Sequence, residues 1–225
     1  GIVLPEPGFL DGLREVCDRT GTLLLIDETH TLSAGPGGCT AAWGLRPDLV
    51  TLGKSFAGGI PIGAYGLSSD VAARLAERVD AEGADLVDVG GVGGTLAGNA
   101  LSMAAARATL DAVLTADAFV GMTALATRFT EAVQAVIDGH DLPWSVVQLG
   151  ARAEYRFARP APRTGTESAE AGDDEVEELL HIALANRGVL LTPFHNMALM
   201  APTTTADDVD RHTAAFSEIV ADLAG

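Results

Sequence analysis

Fourteen residues of the chain are Lys or Arg, and only one of them, Lys54, is a lysine. An amine attacks a carbonyl carbon only after losing its proton, which desolvation or a neighbouring base promotes. Lys54 follows the apolar run Leu49-Val50-Thr51-Leu52 and precedes Ser55-Phe56-Ala57-Gly58-Gly59, with Asp48 the nearest charged residue in sequence. That neighbourhood predicts a partly desolvated amine suited to a Schiff base; the competing reading is a head group that simply reaches water at a strand end. Asp27 closes a second apolar run, Leu23-Leu24-Leu25-Ile26. A carboxylate buried there needs a cationic partner, such as the protonated nitrogen of a heteroaromatic ring. Capping of the following turn would also account for it. An acid-ended strand followed by a lysine-ended strand is more specific than either half alone.

A third feature is Gly90-Gly91-Val92-Gly93-Gly94-Thr95, just ahead of an Ala-rich helical stretch. Backbone N–H groups exposed by glycines at a helix start, with a Thr hydroxyl beside them, suit a phosphate, although ordinary helix capping uses the same residues.

The elements that must position these residues follow from periodicity and turn signals. Residues 8–20 read as an amphipathic helix, and 23–26, 49–52 and 62–67 as short buried strands. Gly- and Pro-rich loops at 33–38 and 57–63 lie at strand ends, where open α/β sheets place ligands, so Asp27 and Lys54 are expected at adjacent strand ends. Helices are expected over 69–80, from Leu96 to about Leu114, and over 118–138. Strands at 145–149, 153–157, 189–192 and 197–200, with helices at 173–186 and 207–223, predict a small α+β domain. The expected division is therefore 1–142, part of a larger α/β domain, and 143–225, the small domain. An exposed Pro- and Arg-rich loop at 158–165 lies within the latter.

Composition narrows the function. At 225 residues and 48% apolar content the chain can bury one large core or two small ones. A formal charge of −17 argues against phosphate-directed nucleic-acid binding, which needs clustered cations. No apolar run is long enough for a membrane helix, and the opening residues lack a secretory pattern, so the expected location is the cytoplasm. Cys17 and Cys39 lack metal-site or disulfide spacing and are expected as thiols.

Four segments together carry a family resemblance. They are Asp27-Glu28-Thr29-His30-Thr31; Gly44-Leu45-Arg46-Pro47-Asp48-Leu49-Val50-Thr51-Leu52-Gly53-Lys54; Gly58-Gly59-Ile60-Pro61-Ile62-Gly63-Ala64-Tyr65-Gly66; and Gly94-Thr95-Leu96-Ala97-Gly98-Asn99. In order and spacing they resemble the signatures of class III, fold type I enzymes dependent on pyridoxal 5′-phosphate (PLP). The likeness is strongest to the glutamate-1-semialdehyde aminomutase branch and its aminotransferase relatives, and it covers nearly the whole chain.

The resemblance implies a partial large domain, a mainly parallel sheet with helices, followed by a small α+β C-terminal domain. It implies PLP bound through Lys54, with Asp27 at the pyridinium nitrogen and Thr29 on the ring face. It places His30 beside the ring hydroxyl, where the family usually has Gln or Met. Gly94 and Thr95 would reach the phosphate of a neighbouring subunit's cofactor, hence an expected homodimer. The implied activity is amino-group transfer on a small amino or keto substrate, by transamination or aminomutation. The apolar strand Met197-Ala198-Leu199-Met200 lacks the C-terminal Arg with which many family members grip a carboxylate, which weighs toward the mutase-like branch; Arg152 and Arg156 are candidate substitutes. Family members are about twice as long, so the expectation is a fragment that needs a complementing N-terminal half. The rivals are an aldolase-like lysine that uses no pyridine, and an inactive dimerisation or interaction module.

Overall fold

The structure is a computed structural model that describes residues 1–82, 93–192 and 195–224. It divides into two compact units. The unit bearing the candidate site comprises Gly8–Leu32 and Pro36–Thr115; the C-terminal unit comprises Ala116–Gly225 with the short segments Gly1–Pro7 and Ser33–Gly35.

The site-bearing unit opens with α1 (Phe9–Thr20), which ends where Gly21 turns left-handed at φ 69° and its N–H caps the Cys17 carbonyl. Strand β1 (Leu25–Asp27) follows, then the short α2 (Gly38–Ala42), β2 (Leu49–Gly53), β3 (Gly63–Leu67), α3 (Ser69–Glu82) and α4 (Ala100–Ala112). The strands form one sheet in the order β1-β2-β3. β1 and β2 are parallel, with Asp27 opposite Thr51, and β3 runs antiparallel, with Gly63 opposite Gly53. Asp48 sets this register. Its carboxylate accepts the Leu24 N–H at 2.7 Å and the Arg14 guanidinium at 2.8 Å, tying α1 to the entry of both strands. Those two bonds, the backbone one first, hold the Asp48 carboxyl below its ordinary range. Behind the end of β2, Phe56, Ala57 and Ala106 form a small core with Leu52, Ile60 and Ile62, and the Ser102 hydroxyl fastens α4 to the Pro61 carbonyl.

The C-terminal unit contains α5 (Ala116–Gly139), β4 (Ser145–Leu149), β5 (Arg152–Arg156), α6 (Gly165–Glu170), α7 (Asp174–Asn186), β6 (Met197–Leu199) and α8 (Ala206–Ala224). Its strands form a second, antiparallel sheet in the order β4-β5-β6. One stripe of α5, Phe119, Met122, Ala126, Phe129, Val133 and Ile137, is buried at three- and four-residue spacing. Phe129, Tyr155, His212 and Phe216 meet in an aromatic cluster, with Phe129 and His212 ring centres 4.6 Å apart and Tyr155 and Phe216 5.0 Å apart. Among the described residues no single helix is long and apolar enough to cross a membrane.

Three expectations are corrected. β1 is not a buried strand: Leu23 and Leu25 are 49% and 50% exposed, because β1 is an edge strand of this sheet. α4 begins at Ala100 and not near Leu96; Gly98 is left-handed, and the Asn99 side chain accepts the Ser102 N–H to cap the helix there. Residues 189–192 pair with no strand; β5 takes β6 as its neighbour instead. By compactness the chain divides before α5, whose apolar stripe is buried in the C-terminal unit.

Candidate functional site

Asp27, Thr29, His30 and Lys54 gather at one end of the first sheet. Asp27 is the last residue of β1, and Lys54 comes immediately after β2. The ladder continues past Asp27, since the Glu28 N–H donates to the Thr51 carbonyl at 2.9 Å. Asp27 shares its side of the sheet with Thr51, and its Oδ1 accepts the Thr29 N–H at 2.9 Å in a tight turn. Hydrogen bonds from the Thr29 hydroxyl and amide and from the Thr51 hydroxyl, together with the charge of His30, hold the Asp27 carboxyl below its ordinary range. Asp27 is therefore a carboxylate at neutral pH, able to face a cationic ring nitrogen.

Lys54 adopts a left-handed backbone at φ 61°, a conformation costly for a residue with a Cβ. The turn of Lys54–Ala57 is held from below, where Phe56 and Ala57 are buried in the small core. Its Nζ lies 2.6 Å from His30 Nε2. Gly53 leaves room on the other side: a Cβ there would stand 3.2 Å from the Thr29 methyl. Thr29 thus packs against the end of β2, while His30 reaches Lys54 and its charge acts on Asp27. The amine, imidazole and carboxylate converge at one sheet end.

Two expectations about environment are corrected. Lys54 and Asp27 are both exposed and not desolvated, because in the described residues β1 is a sheet edge and nothing roofs the strand ends. Gly94 and Thr95 lie in an exposed turn, Gly94 at φ 76°, and not at the start of α4. Gly90, Gly91 and Val92 lie outside the described residues. Arg156 is engaged in its own unit, donating to the Ser168 carbonyl and lying 4.0 Å from Glu154. Cys17 and Cys39 are buried thiols.

Sequence reasoning overlooked Glu28. It is 1% exposed, and its carboxylate accepts the Thr31 hydroxyl and Cys39 N–H on one oxygen and the Thr40 N–H and hydroxyl, each at 2.5 Å, on the other. All four contacts fall on its two oxygens, which suits a side chain that accepts on both of them. It anchors the turn that presents Asp27, Thr29 and His30. Gly38 permits it, since a Cβ at this φ 65° residue would come within 2.4 Å of the Glu28 oxygen. The only sequence signal was an acid beside Asp27 ahead of a Gly-rich loop.

The profile of the family described as "Aminotransferase class-III" matches residues 1–220. The chain belongs to that family. It is 35% identical over 209 residues to a glutamate-1-semialdehyde 2,1-aminomutase of Nitratidesulfovibrio vulgaris (strain DP4), covering 92% of this chain and 47% of the relative. Among solved structures, a glutamate-1-semialdehyde-aminomutase from Pseudomonas aeruginosa PAO1 superposes with a TM-score of 0.94 at 46% identity, covering 99% of this chain and 49% of that one. An omega-transaminase from Sphaerobacter thermophilus gives 0.82 at 26% identity, covering 98% and 49%. The chain therefore has the fold of about half of these class III, fold type I enzymes, a family that works with PLP. It spans about half the length of the curated relatives it matches.

Proposed function

We propose that this class III chain contributes the lysine half of a PLP-dependent amino-group transfer site, acting as an aminotransferase or an aminomutase on a small amino or keto substrate. What carries the reading is the placement of Lys54 and Asp27 at the C-terminal ends of neighbouring parallel strands, with His30 against the amine. The donor set suits the cofactor: an amine to bind an aldehyde, an ionised carboxylate for a pyridinium nitrogen, and a glycine whose missing Cβ lets Thr29 lie close to the strand end. PLP, when bound, supplies the electron sink that weakens the bonds at the substrate's α-carbon.

In this reading Lys54 Nζ would hold the cofactor and serve as the group that takes up and returns a proton at the reacting carbon. Asp27 would keep the ring nitrogen protonated, Thr29 and His30 would lie against the ring, and Gly94 and Thr95 would serve the phosphate of a cofactor held in a neighbouring subunit. The site-bearing unit is then the end of the large domain, α5 links it onward, and the strands and helices after 142 form the small domain. The exposed apolar side chains of that unit, Leu25, Tyr65, Leu101 and Met103, are the surface that an N-terminal half and a second subunit of a homodimer would cover. The proposed location is the cytoplasm.

Absorbance titration with PLP tests this. The protein supplied with its N-terminal half develops a Lys54-dependent band that Lys54→Ala lacks and Asp27→Ala shifts or weakens. A band indifferent to Lys54, or none, would refute the reading.

A further inference from the structure

Two nitrogens 2.6 Å apart, Lys54 Nζ and His30 Nε2, have room for a single proton between them. One of the pair must therefore present a lone pair to the other. Imidazole is the side chain whose ordinary proton affinity lies nearest neutrality, so it both accepts and returns a proton there. Charged groups that face His30 include Lys54, on the turn after β2, and Asp27, at the end of β1. Glu28 is turned away and engaged by Thr31, Cys39 and Thr40.

We propose that His30 is a catalytic residue of this site, the base and then the acid through which Lys54 forms its bond to an aldehyde. The proposal rests on reading Lys54 as the aldehyde-binding amine. The ammonium passes its proton to Nε2, and Nζ adds to the carbonyl carbon. As the C–N bond forms, the π pair of the C=O bond moves to oxygen. Nε2 returns a proton to that oxygen and accepts another from nitrogen. Nε2 then passes that second proton to the hydroxyl, which leaves as water as the nitrogen lone pair closes the C=N bond, and no oxidant or reductant is consumed. The left-handed backbone of Lys54 and the turn anchored by Glu28 keep the two nitrogens in contact before any aldehyde arrives.

The test is the rate at which PLP aldehyde is captured by the protein near neutral pH, trapped at intervals with borohydride and located by peptide mapping. Lys54 is the sole lysine of the chain, so a lysine adduct in it reports this residue alone. His30→Ala is expected to slow capture roughly a hundredfold, the low end of what a positioned acid–base group contributes. Free imidazole is expected to restore much of the lost rate. An unchanged rate in His30→Ala would overturn the proposal while leaving the Lys54 reading intact. So would a slowed rate that imidazole fails to restore, since His30 would then only hold Lys54 in place. A wild-type protein that forms no Lys54 adduct overturns both. The fold of each variant is checked by its unfolding midpoint, and His30→Gln, which offers an acceptor oxygen but no base, is expected to fold normally and remain slow.

Discussion

The two units differ in where their large apolar side chains go. In the C-terminal unit Tyr155, Phe129, Phe216, Ile137, Leu180 and Leu184 are all less than 2% exposed, drawn from α5, β5, α7 and α8. In the site-bearing unit the buried apolar core is small, centred on Phe56, Ala57 and Ala106, while Leu25, Leu101 and Met103 are half exposed or more. The first pattern is a closed core; the second is a platform. The candidate chemistry sits on the platform, where polar groups keep their contact with solvent and incoming molecules.

The largest expected effect sharpens that contrast directly. Phe216→Ala removes a fully buried ring from the aromatic cluster and is expected to cost about 3–5 kcal/mol in denaturant unfolding. Leu25→Ala, on the exposed edge strand, is expected to change stability by no more than about 0.5 kcal/mol in the isolated chain. Equal costs would break the comparison.

Acid should act on the closed unit next. Burial pushes His212 down from 6.5 to about 4, so the folded state refuses a proton that the unfolded chain accepts. Stability is then full above about pH 6.5 and declines as the pH falls toward about 4, by roughly 3 kcal/mol at about 1.4 kcal/mol per pH unit. His212→Phe, which keeps a ring against Phe129 and Phe216, is expected to flatten that decline in melts recorded across the range.

A smaller loss is expected at Glu28, a carboxyl group buried in the platform. Glu28→Gln sets an amide N–H₂ against donors that now meet a carboxylate oxygen, and is expected to cost about 1–3 kcal/mol. A loss of cofactor retention larger than that stability loss implies would mark the turn carrying Asp27 and His30 as the part disturbed. A neutral outcome would mean that the Glu28 contacts contribute nothing to holding it.

Much of this arrangement was legible in the residues. Apolar runs ending in Asp27 and Lys54, separated by Gly-rich loops, were enough to place two parallel strand ends side by side, because buried runs and turn residues report local structure. The burial of those runs was not legible: an apolar strand reads the same whether or not a neighbour covers it, so Leu23 and Leu25 looked internal. The start of α4 was misplaced because Gly94-Thr95 and Asn99 are both acceptable helix openings, and only the Asn99 bond to the Ser102 N–H decides between them. The contact of His30 with Lys54 joins residues 24 positions apart through a left-handed lysine, a conformation the sequence context does not announce.

The central claim is that Lys54 is the residue that binds the cofactor. Incubating the complete protein with PLP, reducing with borohydride and mapping the modified peptide tests it most directly. The expected product is a single phosphopyridoxyl group on Lys54, absent from Lys54→Ala. A modification confined to the amino terminus, or equal labelling of the Lys54→Ala variant, would contradict it.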